Sequence, residues 1–296
     1  MVVQTRAKPG RCRTLPARRA SFVSVAIAAG LVAGPVRAEI AQPAPAGLRV
    51  SVPIDVSITV AAAGLWIASE ALKSQFAPLT CRWCASNALD TAVRDNLRWT
   101  AHGGAAATIS NAGAYVVAPL VGVGMLAAAA VKEGGARRLW IDLLISAEAV
   151  ALSGDLDQLV KYSVGRQRPY AHAGVPNPDT GPGADDANLS FYSAHTSFTF
   201  AVAAATGTVA RMRGYRWAPV IYVAGGVIGA ATAYLRIAAD QHYLTDVVTG
   251  AVLGSAVGAA APYLLHRPRD ATGAPSFVIT PMAIASGRGV GCALDW

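Results

Sequence analysis

The sequence predicts an all-α protein: a helical bundle of about five to six apolar helices, embedded in a membrane. Of its 296 residues, 53% are apolar and only 14% are charged, whereas soluble domains carry about 25% charged residues. The apolar residues gather into five segments of helical length, Ala114–Val131, Leu139–Val160, Thr196–Ala210, Trp217–Ile237 and Leu244–Leu265. A soluble exported bundle is the alternative, because the second segment carries four acidic residues and charges inside a span are costly.

The glycines of the last segment predict how the helices pack. Gly250, Gly254 and Gly258 recur at a spacing of four residues, which places them on one face of a helix. Rows of small residues allow a neighbouring helix to approach closely, as they often do between membrane spans. We therefore expect a tight helix contact along this row.

Composition divides the chain into a signal, a linker, an N-terminal region, the bundle and a tail, at residues 1–38, 39–52, 53–113, 114–270 and 271–296. The first part has a basic start, an apolar run and a cleavage site before Glu39, which indicates a secretion signal. An uncleaved anchor helix is the alternative. The N-terminal region holds a modest apolar helix over 54–73 and then a polar stretch. The tail alternates and turns at 287–289, which predicts a short β-like hairpin.

The net charge of +8 does not indicate a nucleic-acid partner. Seven of the 25 Lys and Arg residues fall in residues 1–38, and the rest of the chain, with 18 basic and 17 acidic residues, is nearly neutral. Inside the bundle, basic residues cluster in loops away from the polar motifs: Lys132, Arg137, Arg138, Arg211, Arg213, Arg216, Arg267 and Arg269. In a membrane bundle such a bias marks the cytoplasmic side. The motifs then face the periplasm or exterior, and the chain before Ala114 contributes either no span after a cleaved signal or one uncleaved span.

Cys81 and Cys84 form a Cys-x-x-Cys pair in the polar stretch. A structural zinc site needs four ligands, and the sequence has no second pair, so we expect no metal. Given the export signal, we favour a local disulfide between the two cysteines.

Three short polar clusters interrupt the apolar segments. They are Lys161-x6-Arg168-Pro169, Ser193-Ala194-His195 and Arg236-x5-His242-x3-Asp246. The cations suit an oxyanion such as phosphate. An imidazole near a carboxylate suits a nucleophile. If His242 and Asp246 share a helix face, the carboxylate accepts a hydrogen bond from one ring nitrogen and leaves the other free to attack.

In this order the three motifs resemble those of the type 2 phosphatidic acid phosphatase (PAP2) superfamily, which includes lipid phosphatases, bacterial acid phosphatases and vanadium haloperoxidases. The resemblance implies a bundle of the PAP2 type and a metal-independent phosphatase without a cofactor. It implies that His242 becomes a phosphohistidine, that Asp246 orients it and that His195 protonates the leaving oxygen. The expected phosphate-binding residues are Lys161, Arg168, Arg236, Ser193 and Ala194, the last two at a helix start.

Four further features carry expectations. Arg166 lies off the motif and is interpreted as a solvated or headgroup contact, and His172 is a rival proton donor. Ala194 stands where the family usually has Gly, so its methyl group approaches the phosphate. The loop over 170–189 is expected to be a lid or substrate-entry element. Its acids are expected to be solvated: Asp179, Asp185 and Asp186.

The expected function is hydrolysis of phosphate monoesters or pyrophosphates, carried by lipid-linked substrates, on the outer side of the cytoplasmic membrane. One alternative is a soluble, broad-specificity exported acid phosphatase. Another is a non-catalytic helical membrane protein that keeps the fold, although the intact motifs argue against it. Haloperoxidase chemistry uses the same oxyanion pocket. The expected partners are a phosphorylated small molecule or lipid and the membrane.

Overall fold

The computed structural model describes residues 47–179 and 186–267, and the backbone of residues 276–284 and 287–295. The predicted signal at 1–38 and the loop residue Asp185 lie outside these ranges. Within the first two ranges the regular elements are α-helices: α1 Val52–Ala71, α2 Lys73–Phe76, α3 Ala88–Leu97, α4 Gly103–Ala112, α5 Ala118–Ala129, α6 Ala136–Val164, α7 Pro169–His172, α8 Ala194–Met212, α9 Ala218–Ala238 and α10 Leu244–His266. The predicted all-α bundle is confirmed.

Two π-helical turns make one long helix of α4 and α5. They lie at Gly113–Val117 and Ala130–Gly134, so that the helical stretch runs without a break over Gly103–Gly134. The helix predicted from Ala114 therefore begins at Gly103, and the polar stretch before it is shorter than expected.

The tail forms two antiparallel strands, β1 (Ser276–Ile284) and β2 (Gly287–Asp295). This agrees with the hairpin that the alternating pattern predicts. Residues 287–289 do not form the predicted turn, because Gly287 pairs with Ile284 and is already the first residue of β2.

Six long helical segments run the length of the bundle and alternate in direction: α1, α4–α5, α6, α8, α9 and α10. α1 begins beside the end of α10, where the Arg49 N–H donates to the His266 carbonyl at 2.9 Å. It finishes beside the end of α6, where the Tyr162 hydroxyl donates to the Ser69 carbonyl at 2.6 Å. The polar motifs therefore share one end of the bundle, which we call the motif end. The basic loops share the other, the basic end.

α8 is the central helix, with 13 of its 19 residues buried. A Cβ added at Gly250 of α10 would lie 2.8 Å from the Ser193 carbonyl oxygen. One added at Gly254 would lie 2.2 Å from the Ser197 carbonyl oxygen, and Gly258 continues the row. Glycine is required at this distance because any side chain would clash with backbone. The predicted glycine contact is confirmed, and it fixes the second motif against the third.

The outer faces of the long helices are apolar. Large hydrophobic side chains are exposed on five of them, among them Val60, Leu120, Leu159, Val223 and Val252. In the part of the chain that the structure describes, four segments are long and apolar enough to cross a membrane, namely Val52–Ala71, Gly103–Gly134, Ala218–Ala238 and Leu244–His266. An apolar surface of this extent supports membrane localisation.

The acidic side chains of α6 that argued for a soluble protein are largely turned inward. Asp142 is fully buried and accepts hydrogen bonds from Arg213 Nε at 2.7 Å and from the Tyr215 hydroxyl at 2.9 Å. Glu148 and Asp157 are also buried. Because these carboxylates face other helices rather than lipid, they do not favour the soluble alternative.

Candidate active site

The three motifs meet at a cavity of about 790 Å³ at the motif end of the bundle. Its lining includes Lys161, Arg168, Arg236, His195 and His242. Each of these residues lies at or next to the end of a helix, where the backbone can turn the side chain into the space between helices. The fold thus brings together the five cationic or imidazole side chains to which the sequence analysis assigned phosphate chemistry.

His242 is 1% exposed and its protonation is set by its two neighbours. Nδ1 lies 2.8 Å from the Ser190 carbonyl, which can only accept, so Nδ1 carries the hydrogen. Nε2 lies 3.1 Å from Arg168 Nη1, which can only donate, so Nε2 presents its lone pair. Burial, followed by the positive charges of Arg168, Lys161 and Arg236, lowers the pKa of His242 well below its usual value. The ring is therefore neutral, with its lone pair on Nε2.

Asp246 does not make the predicted hydrogen bond to His242. Its Oδ2 lies 3.7 Å from Nδ1, because His242 precedes the helix that begins at Leu244 and the two residues share no helical face. Oδ2 instead accepts from the Ser190 hydroxyl at 2.6 Å and from the Tyr243 N–H at 2.9 Å. The contact of Asp246 with the imidazole thus runs through Ser190, whose carbonyl holds the ring.

Arg166 is a buried member of this network, not the solvated residue that the sequence suggested. Its Nη1 donates to Asp246 at 2.5 Å and its Nη2 to Asp90 at 2.7 Å. The guanidinium carbon lies 4.1 Å from the centroid of the Trp83 ring and 4.3 Å from that of Tyr243. Two carboxylates and two aromatic rings enclose the group, which is why it is only 1% exposed.

The polar N-terminal stretch packs behind His242 and encloses Arg166. The predicted disulfide between Cys81 and Cys84 is present, and Trp83 lies between the two cysteines. Asp90, in the first turn of α3, also accepts from the Thr245 N–H at 2.9 Å and from its hydroxyl at 2.7 Å. Motif searches could not find these residues, because they lie more than 70 positions before the motif residues they contact.

His195 lies in the first turn of α8 and is held from another side. Its Nε2 is 2.6 Å from Asn111 Oδ1, and its ring centroid is 4.8 Å from that of Tyr115. The same amide oxygen accepts from Arg236 Nη1 at 3.4 Å. Asn111 was not predicted as a site residue. The available signal was an amide side chain in an Ala-rich helix without charged residues.

Two loop acids neutralise the cations that are predicted to hold phosphate, so the expectation that they are solvated is wrong. Asp186 lies 2.5 Å from Arg168 Nη2, and Asp179 lies 3.6 Å from Arg236 Nη1. Although burial opposes it, the Arg168 guanidinium lowers the pKa of Asp186. The third cation, Lys161, donates to a backbone carbonyl at 3.1 Å.

The remaining predicted residues occupy different places. Ser193 is buried, and its hydroxyl caps α8 by accepting from the Thr196 N–H at 3.5 Å. Ala194, the first residue of α8, lines the cavity. His172 is exposed at the end of α7 and does not belong to the described cavity lining.

Comparison with known proteins adds a family. Residues 142–270 match the model of the PAP2 superfamily, whereas no curated protein matches the chain. At 18% sequence identity, the chain is similar to a solved structure described as the crystal structure of the first transmembrane PAP2 type phosphatidylglycerolphosphate phosphatase from Bacillus subtilis. The similarity covers 71% of this chain and 94% of that chain, with a TM-score of 0.42. The matched segment contains every motif residue from Lys161 to Asp246, so residues 142–270 are similar to the PAP2 superfamily, and this match supports a phosphatase.

Proposed function

We propose that the protein hydrolyses phosphate monoesters or pyrophosphates of lipid-linked substrates, through a phosphohistidine on His242, on the outer side of the cytoplasmic membrane. The observation that carries this proposal is the neutral His242 in a cavity that also contains Lys161, Arg168 and Arg236. A nucleophilic nitrogen among fixed cations is suited to attack on phosphorus, because the cations stabilise charge on the phosphoryl oxygens.

The reaction takes two displacements. Nε2 of His242 forms a bond to phosphorus, and the electron pair of the breaking P–O bond goes to the leaving oxygen, which takes a proton from His195. Water then attacks the phosphohistidine, His195 accepts a proton from it, and the P–N bond breaks to release phosphate. Arg168, which donates to Nε2 in the free protein, has to turn to a phosphoryl oxygen when substrate binds.

The walls of the cavity support a lipid-linked substrate. Trp66 and Ile67 of α1 and Tyr115 line it beside the charged residues. Ile67 is also 66% exposed on the apolar outer surface of α1. The cavity wall and the apolar outer surface therefore share a residue, so a phosphate can bind the cations while an attached chain stays among apolar side chains.

The alternation of the helices supports the orientation. α1 starts and α10 finishes at the basic end, so six crossings place the motif end on the outer side if the basic loops are cytoplasmic. The disulfide between Cys81 and Cys84 lies at the motif end. Because disulfides persist in oxidising compartments, this also favours a motif end on the outer side. If a signal were cleaved after residue 38, the start of α1 would lie on the outer side of the membrane, which is opposite to this orientation. We therefore propose the topology with α1 as the uncleaved first span.

Two experiments test these points. In detergent, the purified protein is expected to release phosphate from a long-chain lipid phosphate with a kcat/KM at least about tenfold above that for glycerol phosphate, and His242→Ala is expected to release none. Equal or better hydrolysis of the soluble ester would refute the lipid preference. For topology, Ala173→Cys at the motif end should react with a membrane-impermeant maleimide in intact cells, and Arg216→Cys at the basic end should not. The reverse labelling would refute the orientation.

A further inference from the structure

A second cluster of buried ionisable groups lies at the basic end, away from the active site. Asp55 of α1, Glu148 of α6 and His266 of α10 are 8%, 1% and 2% exposed, and one ligand atom of each lies within 4.8 Å of the others. Glu148 precedes Lys161 by 13 residues on the same helix, which is about 20 Å along the helix axis. The cluster is therefore separate from the catalytic cavity.

The facing atoms of Glu148 and His266 lack hydrogen-bond partners among the described residues, whereas Asp55 Oδ2 accepts from the Ser51 N–H at 2.8 Å. Both carboxylate oxygens of Glu148 and Nε2 of His266 are buried and unpaired within residues 47–179 and 186–267. Glu148 Oε2 and His266 Nε2 are 3.3 Å apart, yet their geometry does not make a hydrogen bond. Buried polar atoms without a partner are rare and costly, and here two of them, Glu148 Oε2 and His266 Nε2, face each other.

The hydrogen bonding of His266 indicates which ring nitrogen faces Glu148. Its Nδ1 lies 2.9 Å from the Arg49 carbonyl and donates to it, so the neutral ring turns the Nε2 lone pair towards Glu148. A lone pair and a carboxylate oxygen repel each other unless a cation lies between them. A proton on Nε2 would supply one positive charge against the two carboxylates of Asp55 and Glu148. A divalent ion balances both, which matters because an uncompensated buried charge is expensive.

We propose that Asp55, Glu148 and His266 bind a divalent transition-metal ion of the Zn²⁺ class. Two carboxylate oxygens and one imidazole nitrogen are ligands that this ion accepts at about 2.0–2.2 Å, with water completing the coordination. The metal fastens α1 to α6 and α10, and so holds the helix whose Trp66 and Ile67 line the cavity. The expectation of no metal came from the cysteine spacing. These three ligands lie on helices that are far apart in the sequence, so no motif with a fixed spacing could predict the site.

The test uses the full-length protein in detergent, purified without a metal-affinity step, dialysed against EDTA and then titrated with ZnCl₂. We expect binding of one Zn²⁺ per chain by calorimetry and by elemental analysis after gel filtration. Thermal unfolding should shift upwards with Zn²⁺ by roughly 5 °C or more. Absence of stoichiometric binding, with unfolding that responds to neither EDTA nor Zn²⁺, would overturn the proposal in favour of a buried imidazolium–carboxylate pair.

Variants assign the ligands. Glu148→Gln keeps the side-chain volume and can donate to the His266 lone pair, so it is expected to fold, to bind Zn²⁺ at least tenfold more weakly and to lose the thermal shift. His266→Ala should lose binding as well. His102→Ala, which removes an exposed histidine elsewhere, is the control and should bind as the wild type does. Undiminished Zn²⁺ binding by Glu148→Gln would overturn the site assignment.

Discussion

The two histidines of the cavity are held by unlike surroundings. His242 is held by the Ser190 carbonyl, and a chain of buried groups leads back from Ser190 through Asp246 and Arg166 to Asp90. His195 lies in the first turn of a helix, and its ring is fixed by the Asn111 amide and packs on an aromatic neighbour. His242, the proposed nucleophile, thus depends on a chain of four charged or polar residues, and His195, the proposed proton donor, on one hydrogen bond and one aromatic contact. Because of this difference, substitutions outside the cavity should disturb the position of His242 more readily than that of His195.

The largest effects should come from removing the two rings themselves. His242→Ala is expected to form no phosphoenzyme with any substrate, because the attacking nitrogen is gone. His195→Ala should be slow with an alkyl or lipid phosphate, whose oxygen leaves poorly without a proton, but should still form phosphoenzyme from p-nitrophenyl phosphate. Rapid quenching with labelled substrate and mapping of the acid-labile label measures both. Label on His195, or equal loss of aryl and alkyl hydrolysis, would show that these roles are assigned wrongly.

The next effects should come from the network behind His242. Asp246→Asn should lower kcat by about 10²–10³-fold, less than the roughly 10⁴-fold seen when a serine triad loses its carboxylate, because the imidazole itself attacks. Arg166→Lys should lower kcat by about 10–10²-fold, since one ammonium cannot bridge two carboxylates as a guanidinium does.

Both substitutions should change KM less than threefold, which distinguishes loss of positioning from loss of substrate binding. Arg82→Lys is the control, since Arg82 Nη1 donates to the backbone carbonyls of Tyr162 and Ser163 rather than to a carboxylate of this network. An Arg166→Lys variant with wild-type kcat would remove Arg166 from the positioning network.

A smaller effect is expected on the His195 side. Asn111→Leu removes the acceptor at 2.6 Å and should slow alkyl phosphate hydrolysis about tenfold. Aryl phosphate hydrolysis should change little, because its leaving group needs little protonation. Asn96→Leu, an exposed asparagine on α3, is the control. An equal loss with both substrates would mean that Asn111 acts on phosphate binding through Arg236 rather than on proton transfer.

The smallest effect should come from Ala194, which lines the cavity at the start of α8. Ala194→Gly removes a methyl group from the phosphate-binding wall and is expected to raise kcat/KM by roughly twofold. A fall in kcat/KM would show that the methyl group packs usefully against substrate.

The motif residues could be predicted because their chemistry and order are local in the sequence. Lys161, Arg168, Arg236, His195 and His242 all reach one cavity. Each is a charged or imidazole side chain beside a helix end in an otherwise apolar stretch. Both the residue type and its position at a helix end could therefore be recognised from the sequence.

The supporting residues could not be predicted, for physical reasons. Arg166 looks like any loop arginine until its partners Asp90 and Asp246 are brought together from positions 76 and 80 residues away. The spacing of His242 and Asp246 suggested a direct hydrogen bond, but the helix starts after His242, at Leu244. A spacing rule holds only where both residues are helical, and helix ends are the least certain part of any sequence-based assignment.

The glycine row of α10 makes catalysis vulnerable to mutations in parts of the protein that never touch substrate. A methyl group at Gly254 would lie 2.2 Å from the Ser197 carbonyl oxygen, so α10 would have to retreat from α8. His195 and His242 are carried near the starts of these two helices, and a wider gap would separate proton donor from nucleophile. A genetic screen for inactive but folded variants should therefore recover substitutions in this row alongside those in the motifs.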